Sequence, residues 1–413
     1  MASDGTQGNG YSADEKISGD GRLVVFTSYA TSLVPGSADG TYAQVFARDL
    51  RTGRTEQVSL AGDGTSADRS SASPSVSANG RFVAFHSNAK NLTSQGNPSG
   101  RSRVYVRDRW TGRTEPLLPN GQDDLAANSP SISADGRYVA FASTRSDLVP
   151  GDTNEVSDVF VRDRLRGTTE RVSIGSDGTQ ADRRSEAPVI SADGSRVGFK
   201  TAATNLVPRP KGAGAGADLQ SPPRPPANRF FVRDVHRRST EPAARTYDGG
   251  ETVAVSGDIG FSPDGRYALF SSYSSSVVRG DSNTAADVFA TDLRTGSTQR
   301  LSLAPDGSQT NGSSYYGAAM SADNRRVFFA SEATNLVAGD TNGKLDVFVR
   351  DLQSGKVERL SVADDGAQAN EVSTAVAADW AGRTAVFSSE ASNLVPGDTN
   401  DATDVFVRRL ERR

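Results

Sequence analysis

Short apolar runs, alternating in character and separated by turn residues, recur along the whole chain. In the copy spanning Ser133 to Ile174 and the residues just before it, the runs are SPSIS (Ser129 to Ser133), RYVAFAS (Arg137 to Ser143), DVFVRD (Asp158 to Asp163) and TERVSI (Thr169 to Ile174). Each is rich in Val, Ile, Phe or Tyr and bounded by Gly, Asp, Asn or Pro, which marks strands. In RYVAFAS the residues alternate with a period of two, and the spacing of an amphipathic helix does not occur. The set returns almost verbatim from Ser321 to Val362. A repeat of this length signals a solenoid, propeller or array.

The glycine of the first hairpin turn sets the register: Gly21, Gly80, Gly136, Gly194, Gly265, Asn324 in the sixth copy and Gly382 in the seventh, at intervals of 59, 56, 58, 71, 59 and 58 residues. Asn is the expected stand-in, because it tolerates the left-handed backbone better than other non-glycine residues. Four antiparallel strands per copy describe a propeller blade. Seven copies predict an all-β, seven-bladed β-propeller in one domain, closed so that every blade face is covered. The blades fall at about 1–60, 61–118, 119–174, 175–245, 246–303, 304–362 and 363–413. The last has no TERVSI-like run. A strand upstream of Ala2 is expected to complete it by pairing with Asp404 to Arg408.

The turns between strands one and two and between three and four are short and share a face. The loops between strands two and three, and from strand four to the next blade, are long and share the other. Function concentrates on long loops held by a rigid scaffold, so the second face is the candidate. Blade four carries on it a Pro/Gly-rich excursion, residues 207–228, read either as a flexible insertion or as a lid.

Composition narrows the chemistry. The chain has 46 basic and 50 acidic residues, no cysteine and two histidines, His86 and His236. Disulfides, thiolate metal sites and multi-histidine metal sites are excluded. No basic stretch suggests nucleic acid, and no apolar run reaches the length of a membrane span. The N-terminus lacks a leader-like pattern, as an exported protein with its leader removed would.

SPSISADGRYVAF followed by DVFVRD resembles the bacterial WD40-like repeat of the TolB type, and FSPDGRYALF (Phe261 to Phe270) matches it best. The resemblance implies a periplasmic or extracellular propeller that binds proteins, peptides or glycans, or gates a peptidase. A G-x-S-x-G elbow is absent, and the SADG turns lack the Thr-Trp of sialidase Asp boxes.

Three features carry candidate chemistry. The loop between strands two and three reads D-[TS]-N-x-x-x-D in four blades: Asp152, Asn154 and Asp158; Asp281, Asn283 and Asp287; Asp340, Asn342 and Asp346; Asp398, Asn400 and Asp404. Such oxygen donors suit calcium; the competing reading is turn capping. The inter-blade loop carries D-G-[TS]-Q-x-[ND], expected to hydrogen-bond to the first motif. Finally, the copies differ at the mouth of the ring. Three residues beyond the strand-two Phe stand Tyr29, Asn88, Thr144, Ala202, Tyr273, Glu332 and Glu390, and near the start of strand one stand Tyr11, Arg69, Arg183, Arg184, Glu186, Tyr315, Tyr316 and Glu371. Of these, Tyr11, Tyr29, Arg69, Arg183, Arg184, Glu186, Tyr273, Tyr315, Tyr316 and Glu371 form the expected ligand surface, since exposed Tyr and Arg favour recognition. Neutral variation of a solvated face is the alternative.

Two classes of function remain. One is a secreted module, monomeric within a larger assembly, that binds a glycan or protein. The other is a calcium-dependent hydrolase or lyase with a carboxylate-lined hub, where Glu15, Lys16 and Asp258 are the polar exceptions.

Overall fold

A computed structural model describes residues 1–37, 40–119, 129–207, 228–250 and 252–410, without the side chain of Tyr316. The excursion of blade four lies outside these residues except at its two ends. Every regular element among the described residues is a strand. Six sheets have four antiparallel strands in sequence order, and the seventh, Ser373–Ala378, Thr384–Ser389 and Asp404–Arg409, has three. The first strands of successive blades pack side by side around the hub, and those of blades seven and one also meet. The ring is closed. Backbone bonds cross that seam from Ser12 N to Thr403 O (2.8 Å) and from Trp380 N to Gly19 O (3.1 Å).

Each blade lies between two others, so its strands are buried on both faces. Val139, Ala140, Phe141 and Ala142 are all nearly inaccessible. Large and small residues alternate to fit the gap between sheets. The same aromatic pair recurs across strands two and three of all seven blades, from Phe26 and Phe46 (5.9 Å between ring centres) to Phe387 and Phe406 (5.8 Å). Asn324 takes the left-handed conformation of the glycines it replaces, φ 57°, and its amide donates to Asp264 of the preceding blade at 2.7 Å. At Gly136 a side chain would strike the Phe82 ring, with a Cβ 2.2 Å from the nearest ring carbon.

Two local features differ from the sequence reading. The outer strand of blade three ends at Arg171 and does not reach Ile174. Ser173 explains this: its hydroxyl accepts from Val159 N at 3.0 Å and donates to Asp158, replacing the ladder bonds. The innermost strands are also bulged, with a left-handed residue at Asp14, Ser73, Ala187, Gly257, Gly317 and Ala375. The bulge re-aims side chains at the hub, a common use of the irregularity.

Candidate functional site

Among the described residues, the long loops of blades three, five, six and seven are locked to the inter-blade loops that follow them. Asn154 donates to Asp158 at 2.9 Å and to Ala181 O at 3.0 Å, while its own oxygen accepts from Val156 N. Asn342 repeats this with Asp346 (2.8 Å), Ala369 O (3.0 Å) and Lys344 N. The inter-blade glutamines join in, as the sequence suggested. Gln180 donates to Asp152 at 3.1 Å, Gln309 to Ser282 at 2.9 Å and Gln368 to Thr341 at 3.0 Å. Buried polar loop groups thereby find partners.

An arginine of the outer strand, overlooked in the sequence, lies between the paired carboxylates. Arg171 Nη1 is 3.1 Å from Asp152 and 3.6 Å from Asp158; Arg300 is 3.1 Å from Asp281 and 3.5 Å from Asp287; Arg359 is 3.6 Å from Asp340 and 3.3 Å from Asp346. Burial pushes Asp158, Asp287 and Asp346 above the ordinary carboxylate range, with serine hydroxyls and the guanidinium pulling back. The proposed calcium ligands do not fit a calcium site in these three blades. The asparagine oxygens face backbone N–H groups, and the counter-charge is already present as a guanidinium. In blade seven Asp398 and Asp404 receive the Gln7 amide, at 2.6 and 3.2 Å, and Asp404 receives Asn400 at 3.0 Å. Calcium and chelator are therefore expected to leave the melting midpoint unchanged; a rise on adding calcium would show a site these contacts do not explain.

On this layer stands the mouth ring. Five of its residues are built alike: Tyr29 N donates to Tyr11 O, Asn88 N to Ser70 O, Ala202 N to Arg184 O, Glu332 N to Ser313 O and Glu390 N to Val372 O. Only the side chains differ. Tyr11 and Tyr29 meet edge to face with ring centres 6.4 Å apart, 47% and 44% exposed. Burial raises the Tyr11 phenol, and Asp14, Glu15 and Glu390 add to the shift. Tyr273 is 59% exposed in blade five. In blade six the Tyr315 hydroxyl donates to Glu332, and Lys344 pairs with Glu371 at 2.6 Å across the seam to blade seven. The Tyr316 side chain lies outside the description.

Blades five, six, seven and one thus present tyrosines and carboxylates. Blades two to four present Arg69, half-buried beside Gly100, and the exposed Arg183 and Arg184, with Arg184 4.0 Å from Glu186. Among the described residues the tyrosines and most of the carboxylates lie on one arc, where Lys344 pairs with Glu371, and the arginines lie on the other, where Arg184 stands beside Glu186. The short-turn face is repetitive by contrast: Arg81–Asp108, Arg137–Asp163, Arg266–Asp292 and Arg325–Asp351 form the same ion pair four times.

Behind the ring, the exposed Asp14 accepts from Thr27 at 3.0 Å. His86 is largely buried, its Nδ1 without a partner; burial lowers its pKa while Asp14 raises it. Glu15 is 1% exposed between blades one and seven, with Oε2 taking a bond from Ser388 and Oε1 none. Lys200 donates to Gly257 O of blade five and feels the charges of Asp258 and Glu186. His236 is exposed.

No protein-family model matches the chain, and no curated protein matches it by sequence. Solved structures do. The propeller domain of the trilobed protease from Pyrococcus furiosus, described as having an open velcro topology, aligns over 98% of this chain and 94% of that one, at 13% identity and a TM-score of 0.58. Oligogalacturonate lyase from Vibrio parahaemolyticus aligns over 99% and 92%, at 11% identity and 0.56. The chain has the β-propeller fold. TolB from Acinetobacter baumannii aligns over 92% of this chain and 76% of that one at 14% identity, but its TM-score of 0.41 adds nothing to that statement. Among the described residues no helix is long and apolar enough to cross a membrane. At these identities only the fold is shared, and a fold of this kind hosts many functions.

Proposed function

We propose that this propeller is a recognition module, working in the periplasm or outside the cell, that binds a glycan or a protein across the mouth of its long-loop face. The observation that carries the reading is the polarised ring. Its positions are structurally equivalent, so packing does not require different residues there. Tyrosines that present a ring face and a hydroxyl can stack on sugars or anchor in a protein pocket. Arginines on the opposite arc suit carboxylates on the same ligand. The described loops of blades three, five, six and seven beneath it are cross-linked by hydrogen bonds, which limits the ordering cost of binding.

A screen against arrays of neutral and acidic glycans and of surface proteins tests this. Saturable binding is expected, weakened about 30-fold by Tyr11→Ala with Tyr29→Ala, as loss of a central aromatic anchor does. Binding indifferent to both changes would remove the proposal.

A second reading, an enzyme with an acidic hub, has one observation behind it: the Asp14 carboxylate lies near enough to the His86 imidazole for its charge to oppose the effect of burial there, in a fold that a lyase also uses. Turnover of any substrate, abolished by Asp14→Asn or Asp258→Asn, would replace the first reading with this one.

A further inference from the structure

The short turn between strands three and four is built on one frame in five blades. The aspartate that ends strand three accepts from the backbone N–H two residues on: Asp49 from Arg51, Asp108 from Trp110, Asp163 from Leu165, Asp292 from Arg294 and Asp351 from Gln353, at 2.8 to 3.1 Å. The residue between them donates its N–H to the neighbouring hairpin, as Leu50 N does to Arg22 O, Arg109 N to Arg81 O and Arg164 N to Arg137 O. Of the two side chains after the aspartate, the first is covered and the second is exposed.

Blades one, five and six fill this frame as packing prefers. Leu50, Leu293 and Leu352 rest half-buried against the core, and Arg51, Arg294 and Gln353 stand in solvent. Blades two and three invert it. Arg109 and Arg164 take the covered position, their side chains 17% and 19% exposed, while Trp110 and Leu165 take the tip at 66% and 79%. Arg109 is held by Glu56 and by Gly80 O, both at 2.7 Å, and Arg164 by Gly136 O. Singly exposed apolar residues are ordinary on any protein. Here the same backbone accommodates leucine inside and arginine outside, so two covered guanidinium groups beneath two exposed apolar tips are not a product of packing.

The tips are braced and set among arginines. The Arg81 guanidinium lies over the Trp110 ring at 4.8 Å and over the Phe82 ring at 4.7 Å, and Arg164 lies 4.7 Å from Phe82. Asp108 fixes Arg81 in turn, with bonds of 3.1 and 2.7 Å. The turns at 109–114, 164–169 and 235–240 contain six arginines and no acidic residue. Arg166 and Arg237 are 74% and 80% exposed and stand 3.9 Å from Asp163 and Asp234; Asp163 is already paired with Arg137 at 2.6 Å.

We propose that the short turns of blades two to four are a docking surface for an anionic phospholipid membrane, with Trp110 and Leu165 entering the interfacial region and Arg166, Arg237 and Arg238 lying against the headgroups. Apolar side chains on turn tips are taken up by a lipid surface without a matching pocket. Tryptophan favours such interfaces, and each arginine near an anionic surface adds to the attraction. Docking on this face leaves the long-loop mouth turned away from the lipid, so membrane attachment and ligand binding at the mouth are separable.

Flotation with vesicles of phosphatidylcholine alone, or of phosphatidylcholine with an equal share of phosphatidylglycerol, tests this. Binding is expected on the anionic vesicles, with loss in high salt and a blue shift in emission from Trp110, the exposed one of the chain's two tryptophans. Trp110→Ser with Leu165→Ser should weaken binding at least about tenfold. Arg166→Ser with Arg237→Ser should weaken it about 25-fold, at roughly fivefold per arginine. All four side chains are exposed, so both variants should melt as the parent does, and Tyr11→Ala with Tyr29→Ala at the mouth should bind vesicles as the parent does. No binding, equal binding to both kinds of vesicle, or binding that survives the loss of Trp110 and Leu165 would overturn the proposal. Poly-glutamate is the soluble acidic counterpart: a Trp110 shift with it and none with vesicles would overturn the lipid assignment in favour of an acidic protein.

Discussion

Arg359→Ala is expected to destabilise the protein by about 3–5 kcal/mol at neutral pH, the usual consequence of removing one partner of a buried ion pair. The guanidinium is 6% exposed, and its carboxylate partners Asp340 and Asp346 are 4% and 0% exposed. It also donates to Gln368 Oε1 at 2.6 Å, so its loss leaves two buried carboxylates without their counter-charge and takes one donor from Gln368, which keeps Thr341 N. Burial already raises both aspartates, and Arg359 is among the groups that hold them down. A carboxyl raised in the folded state contributes stability that is full below its unfolded pKa and lost as pH rises through its folded value. The variant should therefore approach the parent as pH falls below the ordinary carboxylate range, where both groups are neutral. Denaturant unfolding across pH reads this out; a deficit independent of pH would assign the loss to packing. Adding Asp346→Asn to Arg359→Met should restore part of the stability at pH 7.

Glu15→Gln is expected to stabilise the protein by about 1–3 kcal/mol near pH 8, the range for a buried polar atom left unsatisfied, as Oε1 is. Glu15 takes the place held by Pro74, Pro130 and Pro188 in blades two to four, at a seam otherwise built from Ile17, Val24, Phe26 and Val386. Burial raises its pKa strongly, against smaller opposing effects from Ser388 and Lys16. The same sign rule applies. The parent holds this stability below the ordinary glutamate value and loses it as pH rises through the raised one. The gain from glutamine should vanish below about pH 4. A constant gain would point to packing, and a loss at high pH would mean that the ionised carboxylate has a partner at the blade one–blade seven seam.

The blades were legible because one pattern occurs seven times and each copy checks the others. The strand-one bulge was not, since it depends on a left-handed residue that is Asp14 in one blade and Ala187, Ser73 or Gly317 in others. The D-T-N loops drew attention as oxygen-rich clusters, yet the arginine that balances them sits thirteen residues beyond Asp158, Asp287 and Asp346 in a different strand. Its signal was present in the matched changes between copies, Gln44 with Gln57 and Arg103 with Pro116. The mouth positions could be aligned between copies from strand spacing, but which neighbours touch, Tyr11 with Tyr29 and Tyr315 with Glu332, depends on side-chain directions that strand spacing does not supply.

The central claim is that recognition lives in the differences between blades on the long-loop face. Titration calorimetry with the tightest ligand from the array screen tests it on three variants: Tyr11→Ala with Tyr29→Ala, Arg183→Ala with Arg184→Ala, and Trp110→Ala on the short-turn face. Trp110 is 66% exposed and serves as the control. Both mouth variants should lose at least about tenfold in affinity, or about 1.4 kcal/mol, while Trp110→Ala binds as the parent does. Parental affinity in both mouth variants, or a loss confined to Trp110→Ala, would contradict the account.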